Sequence, residues 1–327
     1  MTKLRSRIAG CGSYAPAKVL SNRDLEEIVE TSDAWITTRT GIRERRITLD
    51  EKTYEVASKA AKEALKSAGV AARDLDVIIT GTVTPDMVFP STSCFVQSTI
   101  GARSGIPAFD VSAACSGFLY ALDIADKYIR SGAANKVLVI GVDIFSRIID
   151  WTDRSTCVLF GDGAGAVVLT ATRGKSCILS SHIHSDGRYW DMLYVPGAID
   201  SNPFEKRPSK HKPHVRMKGN ETFKIAVRTM SRAAKEVLEF NGLKPEDIAL
   251  LIPHQANIRI VNATKERLKL TDDQVFSNID RYGNTSAASI PLALDEAVKN
   301  RRIKRGDIVI FVSFGGGLTW ASAAVRW

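Results

Sequence analysis

At 327 residues, with 44% hydrophobic and 25% charged side chains, the chain can bury a large core as one or two closely joined domains. No apolar run approaches the ~20 residues that span a bilayer, and five scattered cysteines without a Cys-x-x-Cys pair exclude a disulfide framework or a zinc site. A net charge of +9 favours acidic partners, but no basic stripe interleaved with aromatics accompanies it, so no nucleic-acid partner is expected.

The first residues lack the apolar stretch and cleavage site of a signal peptide. Together with the reduced-thiol pattern, this predicts a cytoplasmic protein. Residues 60–80 predict an amphipathic helix closed by Gly69, a polar turn and a buried strand. Segment 110–122 (Asp-Val-Ser-Ala-Ala-Cys-Ser-Gly-Phe-Leu-Tyr-Ala-Leu) then puts Cys115 among small residues, where an apolar strand end gives way to a helix. Backbone N–H groups at a helix N-terminus favour a thiolate there, whereas most cysteines are buried packing residues. The local context leaves both readings open. An apolar strand over 137–141 leads to the glycine-rich run 160–165, which reads as a turn at a strand junction because it lacks the Lys-Ser/Thr of a phosphate-binding loop.

The chain then repeats itself. Residues 233–253 align on 60–80 without a gap, with identities at Ala60, Ala61, Lys62, Glu63, Leu65, Gly69, Asp74 and Ile79. Ala-Leu-Asp at 121–123 recurs at 293–295, and each copy precedes an apolar strand (137–141, 308–312), a glycine-rich run (160–165, 314–317) and a last strand. Two similar α/β halves, 1–173 and 174–327, are therefore expected, packed as helix–sheet–helix–sheet–helix with a site where they meet. Segments 31–47, 182–203 and the basic 204–216 read as insertions. His182 and His184 with Asp186 alternate as on a strand, but no further ligand cluster supports a metal, and none is predicted.

The second half supplies His254 at the end of an apolar strand and Asn284 in a glycine turn before a helix. Singly, these fit a loop histidine and a turn or cap residue. Together with Cys115, all at element ends, they form a nucleophile with activating neighbours.

The motifs at 31–45, around Cys115, at 160–165, 253–257, 283–288 and 314–317, in this order over nearly the whole chain, resemble β-ketoacyl-acyl-carrier-protein synthase III. That family initiates type II fatty acid synthesis and has the five-layered α-β-α-β-α thiolase-like fold. The resemblance implies a two-step reaction. Cys115 takes an acyl group from acyl-CoA; malonyl-acyl carrier protein then loses carbon dioxide and its carbanion attacks the acyl thioester. His254 and Asn284 would donate to the developing enolate oxygen, and the backbone N–H groups of Cys115 and Gly316 would form the oxyanion hole.

By the same resemblance Trp35, Arg39, Arg154 and Asn257 would bind CoA, with adenine between Trp35 and Arg154. Segment 255–259 (Gln255, Ala256, Asn257, Ile258, Arg259), with Lys224 and Lys265, would dock the acidic carrier protein. Phe89 would reach across a homodimer interface to limit the acyl chain. No cofactor beyond the substrates is expected. Alternatives are a related condensing enzyme of polyketide or quinolone pathways, or a Cys-His-Asn thioester hydrolase. The lack of any cysteine after Cys177 speaks against a degradative thiolase.

Overall fold

The computed structural model of the protein describes residues 4–197 and 213–327. Most of the expected basic insertion 204–216, and the end of 182–203, lie outside the described residues. The chain opens with β1 (Arg5–Tyr14). β2 (Lys18–Ser21) and β3 (Glu44–Ile47) then pair around α1 (Asn22–Glu26) and α2 (Asp33–Thr40). There follow α3 (Thr53–Ala68), β4 (Val77–Gly81), α4 (Thr92–Thr99), β5 (Ala108–Val111), α5 (Gly117–Arg130), β6 (Lys136–Ile144), α6 (Arg154–Cys157) and β7 (Asp162–Thr172). After β8 (Cys177–Ser185), a small pair of β9 (Leu193–Tyr194) and β10 (Arg216–Met217) leads to α7 (Gly219–Phe240). The chain ends with β11 (Ile248–Pro253), α8 (Ile258–Leu268), α9 (Ile279–Tyr282), α10 (Ser289–Lys299), β12 (Ile308–Gly315) and β13 (Thr319–Arg326).

One sheet has the order β1-β7-β6-β4-β5 and the other β11-β12-β13-β8. In the first, β5, β4 and β6 run parallel and β7 and β1 continue the sheet antiparallel; in the second, β11 and β12 run parallel and β13 and β8 continue it antiparallel. The second sheet lacks a counterpart of β5, but an isolated bridge between Leu251 and Val275 marks where it would lie.

Alternation along the strands sorts the core into layers. Val77, Ile79, Val137 and Val139 point to α5 and α10, as do Leu250, Ile252, Val309 and Phe311 from the other sheet. The intervening Ile78, Leu138 and Ile140 pack under α3, and Leu251, Ile310 and Val312 under α7 and α8. Two helices thus lie between two sheets, each sheet covered outside by further helices. Among the described residues no helix is long and apolar enough to cross a membrane.

Two sequence expectations change. Gly163 and Gly165 are strand residues of β7, paired to Asp143 and Gly141 of β6, so the glycine-rich run is mostly ladder and not turn. His182 and His184 belong to the core strand β8, so the insertion begins only after Ser185. His184 is bonded at 3.0 Å to Glu236 and stacked on Trp320, and no group of three metal-type ligands occurs among the described residues.

Candidate active site

Cys115 sits in the 3-10 turn Ala114–Ser116 that opens α5, with Ala114 at φ 47°. The turn is braced from the second sheet. Ser313 Oγ donates to Ser116 Oγ at 3.1 Å and Thr319 Oγ1 to the Ala113 carbonyl at 2.9 Å. Gly315 packs so tightly behind it that a Cβ there would stand 2.7 Å from the Cys115 nitrogen. The thiol is buried, and burial pushes it up to about 12. The helix-start argument for a thiolate is therefore corrected. Backbone and Ser286 hydrogen bonds pull the thiol down, but desolvation outweighs them.

His254 follows β11, its backbone N–H bonded to the Val312 carbonyl at 2.8 Å. Its ring is buried, Nδ1 has no hydrogen-bond partner among the described residues, and burial lowers it to about 3, so the imidazole is neutral near pH 7. Asn284 is buried in the turn before α10. Its Oδ1 accepts from the Ser286 N–H at 2.9 Å, which fixes the amide and leaves Nδ2 as the outward donor. Cys115, His254 and Asn284 all line one cleft of about 590 Å³.

A second cavity of about 760 Å³ lies on the other side of the sulfur, walled by Val83, Met87, Val88, Phe145 and Val195. Among the described residues the two cavities share only Cys115 and Leu193. Gly316 and Phe89 line this second cavity, and Phe89 is 83% exposed. Apart from Phe89, Cys115 and Gly316, the sequence did not single out the residues that form these walls, because they are scattered over six stretches of the chain.

The first cleft runs out to a basic mouth at Arg39, Lys224 and Arg259. Trp35, whose N–H is capped by Ser32 Oγ, carries the guanidinium carbons of Arg39 at 4.5 Å and Arg154 at 4.8 Å over its ring. The segment is anchored by Arg45, fully buried, which donates to the carbonyls of Leu20 and Val158 and to Asn22 Oδ1. Asn257 caps α8, its Oδ1 accepting from Arg259 N at 2.9 Å, and its Nδ2 holds the Arg39 carbonyl at 3.0 Å. One amide hydrogen remains for a ligand.

Ala256 lines the cleft, Ile258 packs beside Trp35, and Arg259 is exposed over the Phe223 ring. Gln255 differs from expectation. It is buried, with Nε2 on the Pro253 carbonyl and Oε1 accepting from Ser277, so it braces the turn instead of facing a partner. Lys265 is likewise tied up, in an ion pair with Asp272.

Comparison with known proteins converges on one family. Models of 3-oxoacyl-[acyl-carrier-protein] synthase III and of its C-terminal region match residues 109–187 and 238–327. A beta-ketoacyl-[acyl-carrier-protein] synthase III of Rhodospirillum centenum is 54% identical over 329 residues, 99% of each chain. The crystal structure of 3-oxoacyl-[acyl-carrier-protein] synthase III from Aquifex aeolicus VF5 superposes with a TM-score of 0.92 at 52% identity, covering 98% of this chain and 100% of that one. The priming beta-ketosynthase of the R1128 polyketide pathway superposes at 0.93 with 35% identity, covering 99% and 96%. With its thiolase-like layers and a buried cysteine, histidine and asparagine converging on one cleft, the chain belongs to the 3-oxoacyl-[acyl-carrier-protein] synthase III family.

Proposed function

We propose that this chain condenses an acyl-CoA primer with malonyl-acyl carrier protein, releasing CoA and carbon dioxide and starting fatty acid synthesis. The observation that carries the reading is the position of Cys115 at the junction of a basic-mouthed cleft and an apolar cavity. An acyl thioester threaded through the cleft brings its carbonyl to the sulfur and its chain to the cavity. The Cys115 and Gly316 N–H groups stabilise the tetrahedral oxyanion, CoA leaves, and the carrier's arm takes its place. Neutral His254 and Asn284 Nδ2 then donate to the enolate oxygen formed as carbon dioxide departs. A neutral pair suits this task, because its hydrogen bonds strengthen as the charge grows.

Trp35, Arg39 and Arg154 hold the nucleotide end of CoA. An adenine between Trp35 and Arg154 needs about 7 Å, two van der Waals contacts, so Arg154 must swing outward from its 4.8 Å stack. Arg259, Lys224, Ala256 and Ile258 receive the acidic carrier, with Gln255 and Asn257 setting the turn. Exposed Met87, Val88 and Phe89 support a homodimer in which Phe89 closes the partner's acyl cavity. The boundary at 173 between the halves is supported by the separate sheets on either side of it. Five free cysteines fit a cytoplasmic site of action. The similarity to a priming polyketide ketosynthase favours, as second reading, the same chemistry on another carrier.

Intact-protein mass after mixing with acyl-CoAs of increasing length tests the reading. The wild type should gain one acyl group and Cys115→Ser none, and malonyl-carrier protein should discharge it as a β-ketoacyl product. Discharge by water alone would make the protein a hydrolase.

A further inference from the structure

Behind Cys115 lies a carboxylate for which the reaction above has no use. Asp143, near the end of β6, is fully buried. Its Oδ1 accepts from Thr82 Oγ1 at 3.1 Å, Val83 N at 2.9 Å and Thr84 Oγ1 at 2.9 Å; its Oδ2 accepts from Ala287 N at 3.1 Å. Burial pushes this carboxylate up, the hydroxyl of Ser286, next along the chain from Ala287, acts to lower it, and every one of these donors is neutral. That same hydroxyl stands 3.5 Å from Cys115 Sγ.

A hydroxyl has one proton to give and lone pairs to accept with. Between a thiol and a carboxylate it has two self-consistent arrangements. In one, Ser286 donates to the Asp143 carboxylate and accepts the S–H of Cys115. In the other, it donates to a Cys115 thiolate and accepts from a protonated Asp143. Each arrangement contains one negative charge, and the buried site disfavours two. His254 in the cleft is pushed by burial down to about 3, which makes its imidazole a poor proton acceptor, and Asp110 is bonded to the Thr92 and Ser93 N–H groups, so neither completes this bridge.

We propose that Ser286 and Asp143 form a proton relay that takes the Cys115 proton as the sulfur attacks the acyl thioester. The S–H proton passes to Ser286 Oγ while the Ser286 proton passes to Asp143. The Cys115 S–C bond forms, the C–S bond to CoA breaks, and the proton returns through Ser286 to the departing CoA sulfur. Ser286 is the catalytic group, touching the reacting atom; Asp143 is a positioning residue acting through it. The relay deepens the function proposed above and rests on it for the identity of the acyl donor.

The test is built on an internal control. Ala114 precedes α5, and Ser286 precedes α10, by the same three-residue turn, at φ 47° and 50°. Alanine is thus tolerated in this backbone, and Ser286→Ala leaves the four hydrogen bonds to Asp143 intact. Full-length Cys94→Ser protein, which removes the exposed thiol, serves as background for Ser286→Ala, Asp143→Asn and the double variant. Alkylation of Cys115 by iodoacetamide is followed by mass from pH 6 to 10.

A shared charge gives the background protein a rate shoulder near neutral pH, followed by a second rise. Either single variant should lose the shoulder, with a rate at pH 7 about tenfold lower, and the double variant should be no slower than the slower single. Acetyl-CoA loading should fall about tenfold, while condensation by enzyme already acylated stays within threefold. A Ser286→Ala profile identical to the background overturns the relay. So does a defect confined to an Asp143→Asn protein with a lowered melting temperature, which would make Asp143 structural only. If the shoulder is present but acetyl-CoA does not load Cys115, the relay stands and the proposed donor falls.

Discussion

His254 illustrates how one buried side chain ties chemistry to stability. Its folded value of about 3 lies below the 6.5 of a free imidazole. Between those values the unfolded chain binds one more proton here than the folded chain, so stability rises with pH across that window and is lost on acidification. The slope from this residue is up to about 1.4 kcal/mol per pH unit. His254→Asn should flatten the fall in urea midpoint between pH 6 and 4.5 by close to one proton; an unchanged slope would mean the imidazole is not desolvated in the native protein. Cys115, His254 and Asn284 were legible only as a set, the first two at the ends of apolar strands and the third in a glycine turn before a helix. Asp143 was not, since a lone acid in a strand such as 136–144 gives no sign of which neighbours will enclose it. Ser286 lay within a recognised motif, but its contact with Cys115 comes from across the molecule.

At the level of elements, the nucleotide end of the cleft depends on how α2 meets α8. Gly41 ends α2 at φ 80°, and a Cβ there would stand 2.6 Å from the Ile258 Cβ. Gly41→Ala should therefore push the two helices apart and cost about 1–3 kcal/mol through strain and overpacking. The KM for acyl-CoA should rise about tenfold, with Cys115 alkylation unchanged; steady-state kinetics and a thermal melt check both. The repeated helices α3 and α7 and their following strands were readable from periodicity, which local sequence encodes. The glycines of β7 were misread as a turn because strand pairing on both sides is a tertiary fact.

Over the whole molecule, Met87, Val88 and Phe89 form an exposed apolar run (54%, 75% and 83%) at the rim of the acyl cavity. A patch of this kind calls for a covering partner. Val88→Glu should convert the proposed homodimer to monomers in sedimentation equilibrium and leave the cavity open on one side, lowering chain-length discrimination. A wild-type monomer would refute the arrangement. The layered architecture followed from the internal repeat, whereas most of the cavity walls could not be foreseen, since they are drawn from six separate stretches of chain.

Among the described residues the two cavities touch each other only at Cys115 and Leu193. A thioester lying across that junction is split into the piece the enzyme keeps and the handle it discards, and each piece is judged by a different set of walls. Primer choice and handle choice are therefore separable traits. Such a protein can drift toward longer or branched primers by reshaping the surroundings of Phe89 and Val195 while its dealings with CoA and the carrier stay as they were.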